Sequence, residues 1–155
     1  GGNGLEHINK RITDKVYGVD INEDYLSACR NRYPELKGVL ETIRADVTEN
    51  TDTLPHADLL IADLFIEYIG YECFRKTVKQ AEARHVSCII QVNMDVSFVS
   101  DSPYIHAFDR FSEVHHLTEE NALVNVMGEI GYNKEARRER KLPNGKKLVR
   151  IDFCR

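Results

Sequence analysis

The sequence has little of what characterises disulfide-stabilised or membrane-spanning proteins. Of 155 residues four are cysteine, four are proline and none is tryptophan. No stretch approaches the roughly 20 consecutive apolar residues of a membrane-spanning helix, so we expect no membrane partner. The cysteines form no C-x-x-C pair and show no zinc-ligand spacing, so we expect no bound metal. Cys29, Cys88 and Cys154 lie in apolar patterns typical of buried, reduced thiols, which favours a cytoplasmic protein.

The first 92 residues alternate between helix and strand patterns. Apolar spacing predicts a short helix over 5–13, a strand over 16–21 and a helix from the N-cap Asn22 to Tyr33, where Pro34 ends it. Further strands are expected within 42–46, 59–62 and 86–92, with a loop over 52–57 and a helix over 70–84. The continuous apolar run at 59–62 predicts a strand covered on both faces, as in parallel sheets. The order is typical of βαβ units.

The C-terminal third has a different pattern. Residues 93–121 are polar and irregular, with a predicted helix around 104–111. A strand is expected over 121–128, and Pro143-Asn144-Gly145 predicts a turn before a final strand at 147–154. These closing strands indicate an antiparallel edge. The basic stretch 134–150 could attract an anion, but a solvated hairpin is the preferred interpretation.

A glycine-rich loop opens the chain. Gly2 and Gly4 permit positive φ and allow close approach of a ligand, and the following helix N-terminus offers N–H donors. Asp20 ends the next strand, which in an open α/β sheet places its carboxylate beside such a loop. A carboxylate there can accept both hydroxyls of a ribose.

Four segments in order resemble the motifs of class I S-adenosylmethionine (SAM)-dependent methyltransferases. The loop resembles the glycine motif, and Val19-Asp20-Ile21-Asn22 resembles the second, ribose-binding motif. Arg44-Ala45-Asp46-Val47 resembles the third motif, in which the Asp side chain and the next backbone N–H contact adenine. The segment 57–63 resembles the fourth, a buried strand whose end lies under the methyl group. The resemblance covers residues 1–70.

The resemblance implies a Rossmann-like, three-layer αβα sandwich with a mostly parallel sheet and an antiparallel C-terminal strand. It implies one domain over 1–155, with 93–121 as a substrate-side insert. The family's first strand, which precedes the glycine loop, is expected to be missing from this sequence. The cofactor would be SAM and the product S-adenosylhomocysteine (SAH). The implied cofactor-binding residues are Gly1, Gly2, Gly4, Asp20, Ile21, Asp46, Val47, Asp63 and Phe65.

The reaction implied is an in-line displacement that needs mainly proximity and alignment. A base helps only when the acceptor arrives protonated. Glu67, near the end of the fourth motif's strand, is the candidate catalytic residue. The Asn/Asp-Pro-Pro-aromatic signature and the Pro-Cys motif of nucleic-acid methyltransferases are absent, so we expect a small-molecule acceptor.

Two other functions stay open at this stage. A nicotinamide-dependent oxidoreductase shares the logic of a glycine loop followed by an acidic residue, although G-x-G-x-x-G is not complete. A catalytically silent module with the same fold could bind a partner protein. The oligomeric state is open too, and a homo-oligomer is compatible with the sequence.

Overall fold

The computed structural model describes residues 2–93, 119–143 and 145–155. The helix expected around 104–111, most of the insert over 93–121, and Asn144 of the turn lie outside these residues. Contacts divide the chain into two compact units, Gly1–Pro55 and His56–Arg155. The single domain therefore stays a prediction, and each unit is described by itself. No helix in the described ranges is long and apolar enough to cross a membrane.

The first unit is a parallel strand pair with one α-helix. Strand β1 (Val16–Asp20) pairs in parallel with β2 (Leu40–Arg44), and helix α1 (Glu23–Arg32) connects them. Short 3-10 helices lie at Leu5–His7 and Pro34–Leu36. Its small core contains Cys29, Tyr33 and Leu36.

The second unit is a four-stranded sheet with two helices. Its strands are β3 (Leu59–Asp63), β4 (His85–Asn93), β5 (Asn133–Lys141) and β6 (Lys146–Cys154), in the spatial order β3-β4-β6-β5. Strands β3 and β4 are parallel, whereas β6 runs antiparallel to both β4 and β5. The antiparallel final strand is thus confirmed. Helices α2 (Ile66–Ala81) and α3 (Glu120–Glu129) complete the unit.

The core of the second unit lies between one face of this sheet and both helices. Alternate residues of β4 and β6 point into it, because successive side chains of a strand face opposite sides. The buried members include Val86, Cys88, Ile90, Val149, Ile151 and Phe153 from the strands and Phe74, Val78, Leu123 and Met127 from the helices.

No described residue of the second unit covers the other face of that sheet, which is called the open face below. Leu59 is 51% exposed and Ile61 is 63% exposed, so the prediction that this apolar run is covered on both faces is wrong. The helices α2 and α3 pack on the face that carries Ala62. Cys154 likewise lies on the open face and is only half-buried, whereas Cys29 and Cys88 are buried as expected.

Three predicted elements differ from the structure. The helix expected over 5–13 is one 3-10 turn, because Ile8 is extended and the side chain of Asn9 accepts the N–H of Arg11 to form a turn. The strand expected over 121–128 is α3: Leu123 and Met127, four residues apart, are both fully buried on one helix face. The strand expected within 42–46 ends at Arg44.

Two further expectations concern the start of α2 and the exposure of the basic hairpin. Helix α2 begins four residues before the predicted start at Gly70, whose φ of 72° interrupts the helix. The expected solvated basic hairpin is confirmed for β5, which is exposed throughout, whereas β6 begins half-buried and Val149 is buried.

Candidate functional site

The glycine loop lies in the first unit, at the start of the 3-10 turn. Gly2 has φ 78° and Gly4 has φ 99°, a region that L-residues rarely adopt. Gly1 lies outside the described residues. The N–H of Gly4 donates to Oε2 of Glu6 at 2.9 Å, and the Tyr33 hydroxyl donates to the same oxygen. One of the N–H donors expected for a ligand is therefore held by Glu6.

These contacts change the acidity of Glu6. Hydrogen bonds from its own backbone N–H, from the Tyr33 hydroxyl and from the Gly4 N–H lower the pKa of the Glu6 carboxyl. The carboxylate links the loop to the end of α1. The local conformation is thus fixed by contacts within the unit.

Gly2 is also required by close packing. A Cβ atom there would lie 2.6 Å from Sγ of Cys29 and 3.1 Å from Cδ1 of Leu5. At Gly4 no atom lies within 4 Å of such a Cβ. Gly2 therefore allows the loop to approach α1, whereas Gly4 is required only for its backbone conformation.

Asp20 occupies the carboxyl end of β1, as the sequence predicts. Its Oδ1 accepts the N–H of Asn22 at 2.8 Å, and the Asn22 side chain accepts the N–H of Asp24 to cap α1. The turn thus uses only one of the two carboxylate oxygens of Asp20. The chain enters α1 directly after this residue, and its two acidic first-turn residues suit the helix dipole.

Asp46 lies at the same edge of the β1–β2 pair. Asp20 is paired with Arg44 in the parallel register, and the N–H of Ala45 donates to the backbone oxygen of Asp20. The carboxyl ends of both strands are therefore adjacent, with Asp46 just beyond β2.

The Asp46 carboxylate is held in a turn. Its Oδ1 accepts the Thr48 hydroxyl at 2.6 Å and the Thr48 N–H at 2.9 Å. These two bonds lower the pKa of the Asp46 carboxyl. The following side chain, Val47, is 7% exposed.

A shallow, wide-open concavity of about 410 Å³ lies at this edge, and among the described residues neither Asp20 nor Asp46 lines it. Ile21 contributes an apolar surface that is 58% exposed. The guanidinium Nε of Arg44 donates to the backbone oxygen of Ile21 at 3.3 Å. The lining residues are Ile21, Asn22, Glu23, Asp24 and Arg44. Of these only Ile21 was expected to bind the cofactor. Arg44 lies in the segment that resembles the third motif, but the contact that this motif implies is made by Asp46.

In the second unit, Asp63 and Phe65 flank a strained residue at the end of β3. Leu64 has φ 52°, and its N–H donates to the backbone oxygen of Ile89 at 2.8 Å. Partial burial raises the pKa of the Asp63 carboxyl, and the positive charge of Arg150 opposes this. Phe65 precedes α2 and is 38% exposed. Non-glycine residues with positive φ cluster at functional sites, where the strain fixes a turn.

Glu67 lies in the first turn of α2 and is 2% exposed. Its Oε1 accepts the backbone N–H of Gln91 on β4 at 2.9 Å, and its Oε2 has no hydrogen-bond partner among the described residues. A buried oxygen without a partner is costly unless something else binds it. The sequence identified Glu67 but not Gln91, because a backbone donor on a distant strand leaves no signal in the residue pattern.

The structure thus places the implied residues in two groups. Asp20, Ile21 and Asp46 lie along one strand edge of the first unit, whereas the glycines line the end of α1 in that unit. Asp63, Phe65 and Glu67 lie around the end of β3 in the second unit.

No family model and no curated protein matches the sequence. The chain is similar in structure to geranyl diphosphate C-methyltransferase from Streptomyces coelicolor A3(2), solved with Mg²⁺, geranyl diphosphate and SAH: the TM-score is 0.71 at 10% identity, covering 99% of this chain and 70% of that one.

Two further solved structures agree. The methyltransferase domain of bacterial CtHen1-C gives a TM-score of 0.69 at 16% identity, covering 99% of this chain and 84% of that one. Magnesium protoporphyrin IX methyltransferase from Synechocystis PCC 6803, with bound SAH, gives 0.63 at 12% identity, covering 91% of this chain and 64% of that one. The chain therefore spans less than two thirds of the latter enzyme's length. The likeness, together with the parallel strands and the antiparallel final strand, shows that the chain has the fold of the class I SAM-dependent methyltransferases.

Proposed function

We propose that the protein binds SAM and transfers its methyl group to a small-molecule acceptor. The observation that carries the proposal is the pair of acidic residues, Asp20 and Asp46, at adjacent strand ends, next to the shallow concavity that Ile21 and Arg44 line. Two of the structural neighbours were solved with SAH, which supports the same cofactor here. The acceptors in two of their names, geranyl diphosphate and magnesium protoporphyrin IX, support a small molecule.

The residues present fit a nucleoside. The Asp20 oxygen that the turn does not use can accept ribose hydroxyls, and the exposed Ile21 side chain offers an apolar surface to a purine. Asp46 is kept ionised by its bonds from Thr48, so it can accept an adenine amino group beside the Val47 N–H. Gly4, which faces open space, leaves room beside the loop for the methionine portion.

When bound, SAM would supply a methyl group carried on a sulfonium. The bond from sulfur to methyl would break as the bond from methyl to the acceptor forms, and SAH would leave. Asp63 and Phe65 would contact the cofactor near the reacting sulfur. In this proposal Glu67 accepts the acceptor's proton through Oε2, since Oε1 is fixed by the Gln91 N–H. Because Glu67 is only 2% exposed, this role requires its side chain to become accessible when the acceptor binds.

The proposal extends to architecture and setting. The three-layer αβα sandwich stays a prediction, because α2 and α3 cover one face of the second unit's sheet while Leu59 and Ile61 are exposed on the other. A cytoplasmic location and the absence of nucleic-acid and membrane partners remain predictions from composition and motifs.

Isothermal titration with SAM and with NADH tests the cofactor. We expect SAM to bind and Asp20→Ala to weaken it about 10- to 100-fold, because hydrogen bonds to a charged group contribute about 1.5–3 kcal/mol each. Asp20→Asn separates the two roles of the residue, since it keeps the acceptor for the Asn22 N–H and loses the charge. Asp52→Ala, an exposed loop aspartate of the same unit, is the matched control and should bind normally.

The possible outcomes of this titration differ in meaning. Binding of NADH without SAM would overturn the proposal in favour of an oxidoreductase. Binding of SAM without turnover on an acceptor panel would instead identify a silent binding module.

A further inference from the structure

Three side chains with metal-binding atoms meet on the open face of the second unit's sheet. The ligand atoms of His85, Glu135 and Cys154 all lie within 4.8 Å of one another. They come from three different strands, β4, β5 and β6, and are far apart in the sequence. None of them belongs to the residues proposed to bind SAM.

The strand register explains why they meet. His85 is paired directly with Cys154 in the antiparallel β4–β6 ladder, so both side chains lie on the same face. The β5–β6 register shifts between Lys134 and Ala136, which leaves Glu135 as the extra residue of a β-bulge. A bulge redirects a side chain from the normal alternation, and here it brings the carboxylate to the thiol and the imidazole.

We propose that His85, Glu135 and Cys154 bind a zinc ion, with water in the fourth position. Thiolate, imidazole and carboxylate are the three ligand types that Zn²⁺ takes in proteins, and the mixed set with a sulfur disfavours Mg²⁺ and Ca²⁺. Bond lengths of about 2.0–2.3 Å in a tetrahedron place ligand atoms about 3.5 Å apart. The three ligand atoms lie at most 4.8 Å from one another, so they need to move closer by only about 1 Å.

The surroundings leave the three groups available. His85 and Glu135 are exposed and Cys154 is half-buried. Within the described ranges, the hydrogen bond of the Cys154 thiol is a long one, 3.5 Å to the backbone oxygen of Arg155. The neighbouring carboxylate, Asp152, is already bonded to the Ser87 hydroxyl and to Arg150, so it does not compete as a ligand.

Backbone hydrogen bonds hold the ends of β4 and β6 in place. The N–H of His85 donates to the backbone oxygen of Asp58 at 3.0 Å, and the N–H of Arg155 donates to that of Arg84 at 3.0 Å. A concavity of about 410 Å³ on this face, lined by His85, Glu135 and Asp152 among others, gives an ion and its water room to enter.

The site lies at the opposite end of β4 from the proposed catalytic residues. His85 begins β4, whereas Gln91, the partner of Glu67, lies near its other end. The metal would link β4, β5 and β6 at the end of the sheet opposite the proposed catalytic residues. We therefore expect zinc to raise thermal stability without being needed for SAM binding.

Titration of the metal-free protein with Zn²⁺ and with Co²⁺, followed by calorimetry and by the cobalt–thiolate absorption band, tests the site. We expect one equivalent to bind, a rise in Tm with Zn²⁺ and none with Mg²⁺. Cys154→Ser and His85→Ala should each weaken binding at least 100-fold, and Glu135→Gln at least tenfold. The matched controls Cys73→Ser and His56→Ala should bind as the parent protein does.

Circular dichroism of each metal-free variant separates loss of the site from loss of the fold, which we expect to be intact because the three side chains are not in the core. Absence of binding by the folded parent protein overturns the proposal. Equal binding by parent, site variants and controls also overturns it, since the metal would then be held elsewhere. Both outcomes are independent of the result with SAM.

Discussion

Gly2 lies against Cys29 so closely that a Cβ atom on the glycine would be 2.6 Å from the sulfur. The contact joins the glycine loop to α1 and explains why the loop cannot tolerate a side chain at this position. Positive φ explains only part of the requirement, because Gly4 shares that conformation and faces open space.

The two glycines should therefore differ on substitution. Gly4→Ala should cost about 1–2 kcal/mol of unfolding free energy, the strain of an L-residue at positive φ. Gly2→Ala should cost about 1–3 kcal/mol more from overpacking, and should weaken SAM binding further. Chemical denaturation and calorimetry of both variants measure the difference.

Cys29→Ala provides the control for the contact. Combined with Gly2→Ala it should recover about 1 kcal/mol relative to the sum of the single variants, because the clash is removed. Combined with Gly4→Ala it should show no coupling. Additive effects for both pairs would mean that Gly2 is required only for its conformation.

Two substitutions of Glu67 should separate its effect on stability from its effect on turnover. Glu67→Gln keeps an oxygen for the Gln91 N–H, so we expect folding to be retained while kcat for an acceptor that loses a proton falls about 10²- to 10⁴-fold. Glu67→Ala leaves that N–H unpaired and should also cost about 1–3 kcal/mol of stability. Methyl-transfer kinetics and denaturation give the two readouts.

An exposed glutamate of the same helix serves as the comparison. Glu72 pairs with Arg75 at the surface, and Glu72→Gln should leave kcat unchanged. A normal kcat in Glu67→Gln, with the same pH profile of kcat as in Glu72→Gln, would show that Glu67 has only a structural role.

Asp46 should make stability depend on pH through its bonds from Thr48. Those bonds exist only in the folded chain, so the folded-state pKa of Asp46 is below its unfolded value of about 3.9. The stabilisation is complete above the unfolded value and is lost as pH falls through the lower, folded value. Thr48→Ala should move the pKa of Asp46 upward and reduce the stability gained between pH 3 and pH 7.

An NMR titration of the Asp46 carboxyl and urea denaturation at the two pH values measure this. Thr53→Ala, an exposed threonine in the next turn, should leave both unchanged. An unshifted Asp46 in Thr48→Ala would mean that another group holds the carboxylate.

The sequence predicted those parts of the molecule that depend on local pattern. Asp20, Asn22 and the run Leu59–Asp63 each lie where strand ends and a helix cap were expected, because neighbouring residues determine them. The segment that forms α3 predicts a strand from its residue types, because the β-branched residues between Leu123 and Met127 favour one. The four-residue spacing of Leu123 and Met127 suits the helix that the structure shows. Contacts made by the sheet register, such as that of His85 with Cys154, had no local signal at all.

Glu82 ends α2 with φ 48° and ψ 27°, a left-handed cap that glycine adopts without strain. Its exposed ion pair with His56, at 3.5 Å, contributes little, because solvent screens surface pairs. Glu82→Gly should therefore raise the unfolding free energy by about 1 kcal/mol. Glu82→Ala also loses the ion pair but keeps a Cβ atom at positive φ, so it should show no gain. Urea denaturation compares the two variants, and equal stability of both would locate the effect in the ion pair and not in the backbone.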